Sequence, residues 1–433
     1  MSSNPENQLD AAMSFRKMLS TRQPYPIEEV IRCGVVPRLV EFLQSPRLDI
    51  QVLSEASWAL ANISVGTTAQ TQHIIDAGAV PLLIEMLSSS SAYINKQAIY
   101  VLGNIAGDSP YCRDVVLDEN AMAPLLNLIR QKNGLPIFRN AVWTLCNLCR
   151  GSKPLPKWSQ VEPALSVIGE LIRSDDEDIL SDASWALSYL SMGGNHKIQA
   201  VIELGICSRL VELVLRQISS SIQVPVLRTI GNIAGGDQFQ TQVIIDCGTL
   251  QALHSLLSSP NIDIRRDACM AISNIAAGTA SQVQSVLDAD IIPPLIDILN
   301  NSDFRTRKEA CWAIASVTFA RNHGQISYLV TLGCIKSFID ILSCEDNKIS
   351  KVVLDALKNI LLCGELHKEE TDGVNQFKMN IAECGGVEQI YSLRSHDNAD
   401  ICKRACEITI MYFAKQDENA GLTPQGGSNR TAN

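Results

Sequence analysis

The chain has 433 residues, with 36 Lys and Arg against 46 Asp and Glu and a formal net charge of −10. Hydrophobic residues make up 46% and charged residues 19%, which is enough apolar side chain for a large core and excludes global disorder. The net acidity argues against a protein that coats nucleic acid. No apolar run reaches the roughly 18–20 residues of a membrane span, so neither nucleic acid nor membrane is expected as a partner.

Taken in chain order, residues 1–8 read as a flexible lead-in. Leu9 to Leu19 then predicts one amphipathic helix, the last piece of a partial first unit. From there the pattern repeats. Gly34-Val35-Val36-Pro37, Gly78-Ala79-Val80-Pro81 and Ala121-Met122-Ala123-Pro124 each precede an apolar run, and Gly205, Gly248, Asp290 and Gly333 hold the corresponding place further on. A small residue breaks one helix, and Pro is tolerated in the first turn of the next. Each unit is therefore a short helix ending near Gly and two longer amphipathic helices.

A second register fixes the period. Ser57-Trp58-Ala59-Leu60-Ala61-Asn62-Ile63 recurs as Ile99-Tyr100-Val101-Leu102-Gly103-Asn104-Ile105 and Val142-Trp143-Thr144-Leu145-Cys146-Asn147-Leu148. The same column continues at 185, 228, 270, 312 and 355, in steps of 42, 43, 42, 43, 42, 42 and 43 residues. Four of the five Trp stand in it, and Trp158 alone lies outside. A period of ~40–47 residues with two or three helices belongs to the armadillo/HEAT class. The expected fold is all-α, an armadillo-repeat superhelical solenoid of about ten repeats over residues 9–414, followed by a disordered Gly/Asn/Thr-rich tail at 415–433. An insertion around Glu365 to Phe377 stretches the last period to about 52 residues, and Lys153-Pro154-Leu155-Pro156-Lys157-Trp158 lengthens one loop.

The 14 Cys are scattered through apolar runs, as reduced, buried thiols of an intracellular protein are. Cys146 and Cys149 form a CxxC with no second pair at zinc-ribbon spacing, so core packing is expected there rather than redox or metal chemistry. The six His run from His73 to His396 without clustering, and no metal site is expected. There is no glycine-rich phosphate loop and no nucleophile elbow, so neither catalysis nor a cofactor is expected.

The Trp and Asn of the column invite a binding reading. Positions i and i+4 share a helix face. A single Trp could equally be core, and a single Asn before Gly could be helix-end punctuation. Six Asn (62, 104, 147, 232, 274 and 359), each four residues after the column, weaken that account. A ladder of amides can pair with the backbone of an extended peptide whatever its sequence. Slots between rings suit long aliphatic stems whose cations lie on the ring faces. The acidic chain then supplies long-range attraction for a basic partner.

On these residues the sequence resembles the armadillo-repeat region of importin alpha (karyopherin alpha), over about Leu9 to Ala414. The most specific pieces are Trp58-Ala59-Leu60-Ala61-Asn62-Ile63, Gly103-Asn104-Ile105-Ala106-Gly107-Asp108, Asn140 to Arg150 and Asp182-Ala183-Ser184-Trp185. The resemblance implies a nuclear import adaptor, shuttling between cytoplasm and nucleus, that binds the Lys/Arg-rich nuclear localisation signals of cargo proteins. It implies a major site with Trp58, Tyr100, Trp143 and Trp185 as walls and Asn62, Asn104 and Asn147 as backbone clamps. Asp108 would hold the most critical Lys with Gly66 and Thr71, although without the resemblance it reads equally as a turn carboxylate. Gln97 and Asp182 would meet neighbouring basic side chains. A minor site would use Asn232, Thr241, Asp267, Asn274, Glu309 and Trp312, with Arg228 repelling cations between the two sites.

The sequence departs from the family at Tyr100, where Trp is usual, and at Met270 and Ser316, which replace a minor-site Trp and Asn. The family also opens with an Arg/Lys-rich segment that binds importin beta and can fold back on the groove. Here Met1 to Glu6 leads almost directly into the repeats, so importin beta is expected as a partner only if the full protein carries that segment, and the groove is expected to stand open. The C-terminal repeats are implied to meet an export receptor. The rival reading is a catenin-like armadillo scaffold for other protein partners, although such grooves are typically basic.

Overall fold

The computed structural model describes residues 4–21, 25–44, 50–132, 134–151, 153–216 and 219–413. The tail at 415–433 and the first three residues of the lead-in lie outside the described residues. The chain forms two compact units, 1–274 and 275–433. Among the described residues every regular element is helical.

One repeat shows how the sequence builds the rest. Residues 68–108 fold as Thr68–Asp76, Ala79–Met86 and Ala92–Asp108. Thr67 and Gln70 form a reciprocal capping box that opens the first helix. Gly78, at φ 77°, turns the chain into the second helix, and Pro81 sits harmlessly near that helix's start. The same left-handed turn recurs at Gly34, Gly248 and Gly333. Asn120 and Asp290 adopt it elsewhere, at φ 60° and 53°, as short polar side chains can. Val80 and Leu83 of the second helix and Ala98, Ile99, Leu102 and Ile105 of the third are buried. Burial of each large aliphatic side chain contributes ~1.5–3 kcal/mol.

The third helices carry the column. In the first unit they are α1 (Pro5–Thr21), α2 (Ile50–Ile63), α3 (Ala92–Asp108), α4 (Leu135–Cys149), α5 (Glu177–Leu190) and α6 (Ser220–Ala234), followed by α7 (Ile262–Ala276), which runs into the unit boundary. In the second unit they are α8 (Phe304–Phe319), α9 (Asn347–Leu366) and α10 (Ala399–Ile408). From α1 to α6, and from α8 to α10, each packs against the next. Stacking of this kind buries a face that no repeat covers alone.

Three local features differ from, or add to, the sequence reading. Helix α1 starts at Pro5, inside the expected flexible lead-in, because Asn4 Oδ1 accepts a hydrogen bond from the Glu6 amide at 2.9 Å and closes the first turn. The 365–377 insertion is folded. It lengthens α9 to 20 residues, adds a 3₁₀ turn at Lys368–Thr371, and is pinned by Asn375 Nδ2 donating to the Leu361 carbonyl at 2.9 Å. The long loop after α4 is held from below by Arg113, which is 1% exposed. Its guanidinium donates to the carbonyls of Arg150 and Pro154, both at 2.7 Å, and pairs with Asp114 at 2.8 Å.

A buried guanidinium with fixed partners is costly to remove, because charge-assisted bonds contribute ~1.5–3 kcal/mol each and the carbonyls left behind lose their donor. Arg113→Met is expected to lower unfolding stability by about 2–4 kcal/mol in a urea titration. Limited proteolysis within 151–157 should speed up in the same variant.

Candidate functional site

The column residues lie at the surface while their helix neighbours are core. Trp58 and Tyr100 are 36% and 39% exposed, whereas Ala59, Leu60, Val101 and Leu102 are buried. Trp143 and Trp185 are half-buried. The alternative of a purely core Trp therefore fails for the row from α2 to α5. Trp312, on α8 of the second unit, is likewise 37% exposed.

Glycine lets the row lie flat. A Cβ on Gly103 would stand 2.2 Å from Trp143 Cζ3 and 2.5 Å from Thr144 Oγ1, so the indole rests on the bare backbone of α3. Tyr100 and Trp143 meet at 5.9 Å between ring centroids with a 30° tilt. A methylene stem needs ~3.5–4.0 Å of clearance on each side, so no stem fits between these two rings. They present a joint face, and the slot expected at this step is closed.

The Asn residues are partnered within the protein. Each donates from Nδ2 to the repeat before it. Asn62 donates to Ser20 Oγ at 2.9 Å, Asn104 to Ser64 Oγ at 3.0 Å and Asn147 to the Gly103 carbonyl at 3.0 Å. Asn232 donates to the Ser188 carbonyl at 3.1 Å and to Ser191 Oγ at 2.9 Å, and Asn274 to the Gly231 carbonyl at 2.8 Å. In the second unit, Asn359 donates to Thr318 Oγ1 at 3.5 Å. The bond fixes the orientation of each amide, whose carbonyl oxygen is an acceptor. Gly107 makes room for this, since a Cβ there would sit 3.1 Å from Asn147 Nδ2.

Two arginines close the row at its ends. Arg228 Cζ lies 5.0 Å from the Trp185 ring centroid, and its Nε donates to Asp267 at 3.1 Å. Arg16 Cζ lies 4.4 Å from the Trp58 ring and pairs with Glu55. The column register contained this second contact, because Arg16 stands 42 residues before Trp58. Arg228, expected to repel cations between the two sites, thus shares Asp267 with Arg266 and lies over an indole. Asp267, 3% exposed and also bound by Arg266 at 3.0 Å, is occupied within the protein and is not an open ligand.

Asp108 and Asp182 of the row make no ion pair among the described residues. Asp108, the last residue of α3, accepts from Thr68 Oγ1 at 3.3 Å and Cys112 Sγ at 3.5 Å, and pairs with no Lys or Arg among the described residues. The Thr68 bond brings the turn after Gly66 against it. Asp182, on α5 one turn before Trp185, makes no ion pair either. Burial, helped by the nearby Asp178 charge, pushes its carboxyl up to about 6. Gln97 is buried on α3. Thr71 and Thr241 are buried, with hydroxyls donating to the Ser64 carbonyl at 3.5 Å and to the Ala234 carbonyl at 3.0 Å. They shape their turns and are not presented to solvent.

Of the remaining expected minor-site groups, Asn232 and Asn274 lie in the first unit, while Glu309 is half-buried on α8 beside Trp312 in the second. Met270 is half-buried and Ser316 is buried. Cys146 and Cys149 are buried, and burial pushes the Cys149 thiol up to about 12, as core packing requires. One grouping went unread in the sequence. His323, Cys363 and His367 come together in the second unit although 40 residues separate the first two.

Comparison with known proteins identifies the repeat and the family. The armadillo/beta-catenin-like repeat matches eight times between residues 23 and 362, and the atypical Arm repeat matches residues 375–425. Importin subunit alpha-1b of Oryza sativa subsp. japonica is 48% identical over 427 residues, covering 98% of this chain and 79% of the relative. An engineered protein of known structure superposes with a TM-score of 0.83 at 26% identity, over 94% of this chain and 95% of its own. A designed armadillo repeat protein in complex with the peptide (KR)4 matches 56% of this chain and 96% of its own, at 30% identity and a TM-score of 0.50. The chain belongs to the importin alpha family and is an armadillo-repeat nuclear import adaptor.

Proposed function

We propose that the row from Trp58 to Trp185 binds the Lys/Arg-rich nuclear localisation signals of cargo proteins as extended peptides. The observation that carries this reading is the pair of acidic groups without a cation, Asp108 and Asp182, set beside exposed ring faces and oriented Asn carbonyls. The carbonyls of Asn62, Asn104 and Asn147 accept from peptide amides, and the joint face of Tyr100 and Trp143 carries a Lys stem laid across it. Asp108 adds its charge to the negative end of α3, where a cation is favoured. The designed relative bound to (KR)4 supports the same chemistry. A cation–π contact contributes ~0.5–2 kcal/mol and a charged hydrogen bond ~1.5–3, so several together reach the ~8 kcal/mol of micromolar affinity.

Family membership implies cargo and importin beta as partners. The finer reading adds an export receptor at the C-terminal repeats and shuttling between cytoplasm and nucleus. A row of amides, ring faces and carboxylates supplies affinity without a nucleophile or an acid–base pair, so the protein is read as an adaptor and not an enzyme. A catenin-like scaffold for acidic partners is disfavoured by the same two uncompensated carboxylates.

Three outcomes follow from this reading. Trp143→Ala combined with Asn147→Ala should weaken a Pro-Lys-Lys-Lys-Arg-type peptide by roughly 30-fold or more in calorimetry, the equivalent of about 2 kcal/mol; retention of affinity would contradict the assignment. A bound ammonium favours ionised Asp182 and lowers its carboxyl from about 6, so binding expels a proton near that pH. Affinity should therefore rise between about pH 5 and pH 7, and Asp182→Asn should flatten that rise. With Asp267 occupied and Met270 in a Trp position, deleting the upstream cluster of a bipartite signal should change Kd by less than about threefold, or ~0.6 kcal/mol.

A further inference from the structure

We propose that His323, Cys363 and His367 form a zinc site in the second unit, separate from the peptide row. Cys363 lies in the last turn of α9, with His367 four residues on at the helix C-cap. His323 is the first residue of the helix His323–Thr331. One potential ligand atom from each residue lies within 4.8 Å of the other two. An ion bound tetrahedrally, with bonds of ~2.0–2.3 Å, holds its ligands roughly 3.3–3.7 Å apart. Closure therefore requires approaches of about 1 Å, and because a metal lies in the plane of each imidazole that binds it, one ring must also turn out of its stack on the other.

The surroundings orient the His367 donor and leave His323 to turn. The imidazoles of His323 and His367 stack at 4.0 Å between centroids with an 18° tilt. His367 Nδ1 is 2.9 Å from the Cys363 carbonyl oxygen. A carbonyl only accepts, so Nδ1 must donate, and the lone pair of the neutral ring is left on Nε2. Metal-bound histidines are commonly fixed by just such a bond from the other ring nitrogen. Cys363 is 2% exposed, its Sγ makes no hydrogen bond among the described residues, and Phe377 lies 6.1 Å from His323 between ring centroids. The carbonyl end of α9 favours a cation.

One sulfur and two imidazole nitrogens are the donor set of Zn²⁺ rather than of Mg²⁺ or Ca²⁺, and water completes the tetrahedron. The Zn–S bond forms as the Cys363 thiol loses its proton to solvent, with no change of oxidation state. The ion would tie the extension of α9, built by the 365–377 insertion, to the turn that starts His323–Thr331. The site is structural, and it is independent of peptide binding.

The test uses the full chain, stripped with a chelator and desalted, then titrated with Co²⁺. One equivalent should produce a thiolate-to-Co²⁺ charge-transfer band that Zn²⁺ abolishes, and one equivalent of Zn²⁺ should raise the thermal midpoint. His323→Asn, a change at a half-exposed position, should weaken Co²⁺ binding at least about tenfold and remove the thermal response, and Cys363→Ser should abolish the band. Cys402→Ser, which alters another partly exposed thiol, should leave the band intact. Absence of the band in the parent chain, its survival in His323→Asn, or its loss in Cys402→Ser would overturn the proposal. Circular dichroism checks folding, and His323→Gln replaces His323→Asn should that variant unfold.

Discussion

The hydrogen bond from each column Asn to the preceding repeat is the contact on which the site depends. Asn147 to the Gly103 carbonyl, Asn232 to Ser188 and Asn274 to Gly231 span 43 or 44 residues of sequence and one step of the stack. A net gain of ~0.5–1.5 kcal/mol per bond is modest. Its larger effect is orientation. With the amide nitrogen tied to the repeat behind, one residue fixes the register of its own repeat and the direction of its carbonyl oxygen.

The aromatic residues obey the same logic. An indole is accommodated on α3 only because Gly103 leaves its backbone bare, so the Gly103-Asn104 pair and Trp143 form one packing unit. Arg16 and Arg228 then cover the two ends of the row with their own cation–π contacts. Inside those ends, Tyr100, Trp143, Asp108 and Asp182 meet no Lys or Arg in an ion pair or cation–π contact among the described residues. The protein's own arginines already lie on ring faces at both ends of this row.

In the second unit the column changes character. The row position of α9 is Asp355, paired with Arg404 at 2.8 Å, and Lys351 and Lys358 bind Asp400 and Glu407 on α10 at 2.5 and 2.8 Å. Beyond Trp312, ion pairs between α9 and α10 replace the aromatic face. The same region holds the inserted residues, whose contribution is a longer helix end and a gathered set of sulfur and nitrogen donors.

Sequence periodicity determined the helical repeat, its 42- or 43-residue step and the face that carries Trp and Asn, because equivalent positions in a stack must solve the same packing problem. The positions of the turns were legible for the same reason, from Gly34, Gly78, Gly248 and Gly333 and their stand-in Asp290. Only the tertiary structure decided what each column residue touches. It showed that Asn donates backward, that Tyr100 and Trp143 close on one another, that Asp267 is consumed by two arginines and that Thr71 and Thr241 face inward. It also brought His323 beside Cys363 and His367, a grouping that a search for close spacing misses. The reason is physical: a period tells which residues share a face, but side-chain partners are set by the neighbouring repeat some 42 residues away, where distance and burial have no trace in local sequence.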